Sequence, residues 1–372
     1  MTDTELRLAT EDTLSAAVVP DPDLVGMLRG LFADYRSRRP APTEVVDLDR
    51  SLWSQLEELG LTRLTAAEDR GGSGGTWVDA AALLGLAAGA AAPVPLAEND
   101  LLADWLLATA RLPNDGGIRT VCRPSLAGVA RDVPWGRDAD HVVALWADRG
   151  RLTVADVPVS RTTLERRRNV AGEPSDTVTL RVDDLRDGVV VDAAVAEELQ
   201  WRGALAASAA AVGAMDRVVE VVLGHVNNRT QFGRPIGRFQ AVQNLVCDIA
   251  AQSALARAAT DAAVARAAAS DGTDDEMRFA VAVAKSCVGH ASSTVVRGSH
   301  QVLGAIGTTL EHELHTLTKP ILARRSEYGS LQDWDETLTA LASSAGRDRL
   351  WTLITTGRAK PSTARLHPND GG

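Results

Sequence analysis

The sequence predicts a mainly α-helical protein with a small β domain set between two helical regions. Three observations carry this. Apolar residues near the N-terminus recur at helix spacing. Between about Asn114 and Val195 the texture changes to short strand-like runs, one of them, "DTVTLRVDDL", alternating between apolar and polar. From about Glu197 onward, apolar stripes run long enough for the helices of a four-helix bundle. The expected domains are residues 1–112 (helical), 113–196 (β) and 197–350 (bundle), with 351–372 as a flexible tail.

In the first region "PDLVGMLRGLFADYRSR" puts Leu24, Met27, Leu28 and Leu31 on one helix face. "DRSLWSQLEELGL" does the same with Leu52, Leu56 and Leu59, and Gly60 is placed to end the helix. The glycine turn in "EDRGGSGGTW" precedes a helix from Val78 to about Ala91. "LLADWLLATARLP" reads as another, stopped by Pro113. In the second region "HVVALWADRGRLTVADVP" reads as two strands around Asp148-Arg149-Gly150. "DTVTLRVDDL" reads as a strand with Val178, Leu180 and Val182 on one face. In the third, Val212, Met215, Val219, Val222 and Val226 step by three and four, and Phe239, Val242, Val246 and Ile249 repeat the pattern. Further helices are expected from about Asp274 to Val302 and from about Asp333 to Ala345.

The 372 residues are 45% hydrophobic and 24% charged, enough for a large core without staples. A net charge of −10 argues against a nucleic-acid surface. Arg166, Arg167 and Arg168, preceded by Glu165, read as a solvated edge. Cys122, Cys247 and Cys287 are few, far apart and without a Cys-x-x-Cys pair. With a polar N-terminus and no secretory leader, the expectation is a reducing, cytoplasmic setting and no metal site. No membrane insertion is expected, and "AALLGLAAGAAAPVP" reads as a buried core helix.

Two stretches stand apart. In "RTQFGRPIGRFQAVQ", Arg229 closes one helix, Gly233, Pro235 and Gly237 break it, and Phe239 begins the next. A guanidinium at such a corner grips a phosphate through two parallel hydrogen bonds. Phe232 offers a face to a flat ring, Gln231 offers an amide, and the coming helix N-terminus favours an anion. The alternative is a bundle corner at which Arg229 caps its own helix. In "QVLGAIGTTLEHELH", Gly304 and Gly307 permit close backbone approach and Gln301 supplies an amide, a loop suited to an adenine edge. The alternative is a turn between helices.

Together these stretches resemble the acyl-CoA dehydrogenase family of flavoproteins. The family corner, Arg-x-Gln-Phe-Gly-x-Pro-Ile/Leu-x-x-Phe-Gln-x-x-Gln, is matched throughout by Arg229, Gln231, Phe232, Gly233, Pro235, Ile236, Phe239, Gln240 and Gln243. The Gln-x-x-Gly-Gly-x-Gly-x-x-x-Glu loop is matched by Gln301, Gly304, Gly307 and Glu311, with Ala305 in place of the middle glycine. "LWSQLEELGLTRLTAAEDRGGSGG" and "AAPVPLAEN" add to a resemblance that spans residues 20–345. It implies a helical N-domain, a β-barrel-like middle domain, a C-terminal four-helix bundle, and FAD as cofactor. Arg229, Gln231, Phe232, Gln240, Gln301 and Gly304 are then the implied FAD-contact residues, serving the diphosphate and adenine end of a flavin held mainly by a neighbouring subunit.

The resemblance also implies α,β-dehydrogenation of an acyl-CoA thioester, with a carboxylate taking the α-proton and an electron-transfer flavoprotein or similar acceptor. Here the sequence departs. The usual base position, 27 residues beyond Gln301, is Tyr328, within Glu327-Tyr328-Gly329-Ser330. A phenol with an ordinary pKa of about 10 is a poor base at neutral pH. Glu327, one residue off, is the remaining carboxylate candidate there. The alternative base position, on the first bundle helix, is Gly203. The flavin-ring motif Thr-Glu-Pro-x-x-Gly-Ser-Asp is absent from "RTVCRPSLAGVARDVPWGRDADHVV", where Trp135 reads as a core or interface residue. These departures resemble the divergent partner subunit of actinobacterial heteromeric acyl-CoA dehydrogenases of steroid and fatty-acid degradation. Such a chain completes the flavin site of a homologous catalytic subunit in a heterotetramer. Two alternatives stand beside it: a self-sufficient homo-oligomeric dehydrogenase, and a non-redox assembly subunit.

Overall fold

A computed structural model describes residues 19–39, 42–269 and 275–357. The extreme N-terminus and most of the expected tail, residues 358–372, lie outside them. The N-terminal region holds α1 (Pro22–Arg38), α2 (Arg50–Glu58), α3 (Trp77–Gly89) and a π-helical segment, Ala97–Asp104, that continues as α4 (Trp105–Thr109). Each of the first three begins at a side-chain cap. Asp21 and Asp49 accept backbone N–H groups of the turns that follow them, and Thr76 and Asp79 cap each other reciprocally. In α2 the buried face is Leu52, Trp53 and Leu56. Leu59, expected on that face, is 47% exposed, because the helix has already ended and Gly60 turns the chain at φ 72°.

The middle region is two packed sheets. β1 (Arg119–Cys122), β3 (His141–Asp148), β4 (Arg151–Pro158) and β7 (Val189–Val191) form one, in the order β1-β3-β4-β7, with β1 and β3 parallel. β2 (Val129–Pro134), β6 (Ser175–Thr179) and β5 (Thr163–Glu165) form the other. Val142, Ala144, Trp146, Val157 and Val178 fill the space between them. The β3–β4 turn is the expected one: Arg149 and Gly150 both take positive φ, as a tight hairpin requires. The strand expected to run through Val182 ends at Thr179, and Val182 opens the short helix α5 (Val182–Arg186). Arg166, Arg167 and Arg168 are exposed, as expected, but Arg168 is also engaged. It pairs with Asp47 at 2.6 Å and donates to the carbonyls of Val46 and Gly172, tying the N-terminal and β regions together.

Asp176 shows how the β region resists burying a charge. It is fully buried, and it accepts hydrogen bonds from the Arg137 guanidinium and from the backbone N–H groups of Arg137 and Arg167. Burial pushes its carboxyl up, but these bonds outweigh burial and hold it below the ordinary range. A depressed carboxyl stabilises the fold above its unfolded value, about 3.9, and that stability is lost as pH falls through the folded value. Asp176→Asn is therefore expected to cost about 3 kcal/mol at pH 7. It is also expected to flatten the acid limb of a plot of thermal midpoint against pH between about 3 and 5. An unchanged acid limb would remove Asp176 from that role.

The C-terminal region is built on α6 (Ala194–Asn228), α7 (Gln240–Ala269) and α8 (Asp275–Leu303). α8 lies in the one described helical stretch long and apolar enough to cross a membrane. Its apolar face is packed into the bundle, with Val281, Val288 and Val295 fully buried. α6 packs on α3 at Gly85 and Gly213, where the two backbones nearly touch. The fourth helix against α6 is α9 (His315–Ser326), which the sequence pattern hides. α10 (Leu331–Ala345), expected in that role, lies against α8 instead. Pro320 sits inside α9, and its few apolar residues follow no clean period. The start of the expected flexible tail forms another helix, α11 (Leu350–Thr356), anchored by buried Leu353.

Candidate functional site

The Arg229 corner is a two-residue hairpin. β8 (Thr230–Gln231) pairs with β9 (Arg234–Pro235), and Phe232 and Gly233 make the turn, at φ 52° and 81°. A positive φ is natural for Gly233 and uncommon for an aromatic residue. The turn leaves Phe232 90% exposed, its ring edge-on to Phe239 with centroids 6.1 Å apart. An exposed aromatic residue held in a rare backbone conformation is a mark of a contact surface. The Arg229 backbone N–H bonds the His225 carbonyl at 2.9 Å and so ends α6. Among the described residues its guanidinium makes no hydrogen bond or ion pair, so it does not cap its own helix.

Arg229, Gln231 and Phe232 line a cavity of about 1320 Å³ together with Gln301 and Gly304. Gly304, at φ 65°, has nothing within 4 Å of where a Cβ would stand, so its backbone is open to a ligand. The structure thus brings the two sequence stretches to one place. Gln240 is exposed on the first turn of α7 and does not line this cavity. A free guanidinium, an open glycine backbone, an exposed ring and two exposed amides fit the phosphate and purine end of a dinucleotide.

A second cavity, of about 490 Å³, lies where all three regions meet. Its lining includes Glu98, Cys122, Trp135, Glu173, Arg324, Glu327 and Tyr328. Here the two expected base positions face each other. The Tyr328 ring lies on Gly203 so closely that a Cβ at residue 203 would stand 2.3 Å from it. Tyr328 has φ 56°, and its carbonyl accepts a hydrogen bond from Gln200 Nε2. Burial, then the nearby Glu98 and Glu327, push its phenol well above the ordinary value, so it stays protonated.

The carboxylates around it differ. Arg324 takes Glu173 through both oxygens at 3.2 Å and Glu327 at 3.2 Å. Glu327, the carboxylate candidate from the sequence, is therefore engaged by a guanidinium. Burial opposes the charge on Arg324, but Glu173, Glu327 and Glu98 outweigh it and keep Arg324 ionised. Glu98 was not singled out in the sequence. It sits on the π-helical segment, lines the cavity, and among the described residues makes no ion pair. Burial raises its carboxyl to about 7, against the pull of Arg324. An acidic residue inside the otherwise apolar "AAPVPLAEN" was the signal available. Trp135 is buried, at φ 57°, with one edge on this cavity.

A family model described as acyl-CoA dehydrogenase, C-terminal domain, matches residues 194–332. The acyl-CoA dehydrogenase FadE34 of Mycobacterium tuberculosis is 29% identical over 316 residues, covering 82% of this chain but only 44% of FadE34. The acyl-CoA dehydrogenase IpdE2 of the same organism is 29% identical over 305 residues, 79% of this chain and 89% of IpdE2. The fold is similar to that of the ChsE4–ChsE5 complex from Mycobacterium tuberculosis, with a TM-score of 0.74 at 21% identity, covering 86% of this chain and 96% of that one. It is also similar to the Tcur3481–Tcur3483 steroid ACAD, with a TM-score of 0.71 at 22% identity over 86% and 97% of the two chains.

Proposed function

We propose, from the premise that this chain belongs to the acyl-CoA dehydrogenase family, whose members are FAD-dependent flavoproteins, that it is the subunit of a heteromeric enzyme that completes a partner's flavin site. The observation that carries the reading is the contrast between its two cavities. The corner keeps a free guanidinium, an exposed Phe232 and an open glycine backbone for the far end of a dinucleotide. At the three-region junction, Tyr328 occupies the space beside Gly203, and the carboxylate candidate next to it in sequence, Glu327, is paired with Arg324. The reaction is the α,β-dehydrogenation of an acyl-CoA thioester, the partner supplying the carboxylate that takes the α-proton.

FAD, when bound, supplies the hydride acceptor for this chemistry. This chain's part is positional. Arg229 neutralises diphosphate charge, Gln301 and Gln231 offer amides, and Phe232 covers the cofactor from the subunit interface. The acyl group belongs to steroid side-chain or fatty-acid degradation, in keeping with the likeness to a steroid ACAD. The electrons pass to an electron-transfer flavoprotein or similar acceptor.

One observation favours a second reading, a self-sufficient homo-oligomer. Glu98 is an unpaired cavity carboxylate whose protonation balances near neutrality, as a general base requires. A single experiment separates the two. Expressed alone, the chain is expected to be colourless and inactive, and co-expression with a homologous catalytic chain is expected to yield a yellow heterotetramer. A yellow, active homo-oligomer that loses activity on Glu98→Gln would overturn the partner reading and sustain the second.

A further inference from the structure

We infer that His225 and His312 join Arg229 in a proton-linked seat for a diphosphate, His225 taking up a proton as the ligand binds and His312 donating from its Nε2. The inference rests on the proposed reading only for the identity of the ligand.

The seat follows from a charge count. His225 lies on the last turn of α6, Arg229 is the capping residue whose backbone N–H bonds the His225 carbonyl, and both line the corner cavity. His312 lines it from the loop between α8 and α9. The other charged groups of the cavity are spent on each other. Arg217 pairs with Glu220 at 2.8 Å and with Glu313 at 3.0 Å, and Arg39, from the N-terminal region, pairs with Glu313 at 3.2 Å. Arg234 lies over the Phe239 ring, and His300 and His315 stand behind His312, bonded to Thr318 and to the His312 carbonyl. The Arg229 guanidinium is thus the one unspent full positive charge among the described lining residues. A diphosphate diester carries two negative charges, one more than Arg229 balances.

His225 can balance the second. Burial, then His312 and Arg229, hold its ring below the ordinary histidine value. Two phosphate charges beside it reverse that balance and favour the protonated ring. His312 is different. Its Nδ1 accepts the Leu314 backbone N–H at 3.0 Å, which places the ring proton on Nε2 and leaves that N–H to donate. Binding of a diphosphate then carries proton uptake at His225. Affinity rises as pH falls from the bound pKa to the free one, and is level outside that window.

ADP-ribose tests this on the full-length chain. It presents the adenine and a diphosphate diester whose charge does not change between pH 5.5 and 8, and it has no flavin ring. Calorimetric titration in two buffers of different ionisation enthalpy is expected to show roughly tenfold tighter binding at pH 5.5 than at pH 8, one pKa unit of coupling, with net proton uptake between. His225→Phe is expected to lose the gain in affinity between pH 8 and pH 5.5, whereas His312→Phe and Arg229→Ala weaken binding at both pH values and keep the pH dependence. Binding that ignores pH, a His225→Phe chain that keeps the gain, or no binding at pH 5.5 would overturn the seat. None of these results bears on the partner reading, which the flavin content of the co-expressed heterotetramer decides separately.

Discussion

Gly213→Ala is expected to destabilise the chain by about 3 kcal/mol or more. A Cβ at residue 213 would stand 2.1 Å from the Gly85 carbonyl oxygen and 2.3 Å from its Cα. Both obstacles are backbone, so no rotamer change relieves the clash. α6 and α3 must separate, and the apolar residues packed around the crossing lose contacts with them. Gly224→Ala, on the same helix, is the control. No atom lies within 4 Å of that position, so alanine there is expected to stabilise by roughly 0.5–1 kcal/mol through helix propensity alone. Thermal melts of the two variants should therefore move in opposite directions. A Gly213→Ala chain that melts with the wild type would mean that the helices cross farther apart than the structure places them.

Arg229→Ala in the proposed heterotetramer is expected to weaken flavin retention by roughly 10- to 100-fold, the loss of one bidentate, charge-assisted phosphate contact. Folding should be untouched, because the guanidinium bonds to no described residue. Arg229→Lys should recover only part of the loss, since a point charge does not reproduce the two parallel hydrogen bonds. Flavin released on dilution, followed by its fluorescence, measures the effect. Full retention in Arg229→Ala would withdraw the corner from the flavin site.

Much of this was legible in the sequence, and the reason is locality. The stripes of α6 and α7 lie within single elements, and the Arg229 corner is fifteen consecutive residues. The close packing of Tyr328 on Gly203 joins residues 125 positions apart in number, and no pattern within either segment announces it. Glu98 was hidden for the same reason, since its environment comes from Arg324, Glu327 and Glu173. α9 escaped because Pro320 reads as a helix breaker, although the surrounding bundle holds the helix together. Leu59 and Val182 were misplaced at element ends, where a side-chain period continues on paper after the backbone has turned.

The pairing of Tyr328 with Gly203 also constrains how this lineage can change. Residues 203 and 328 are two claims on one volume. A carboxylate restored at 203 collides with the ring, and removal of the ring first leaves a hole where an aromatic side chain had been, a loss of about 3–5 kcal/mol. Either single change is therefore expected to lower stability. Neither residue can therefore be exchanged alone without loss, and only a paired change at 203 and 328 keeps that volume filled while admitting a carboxylate.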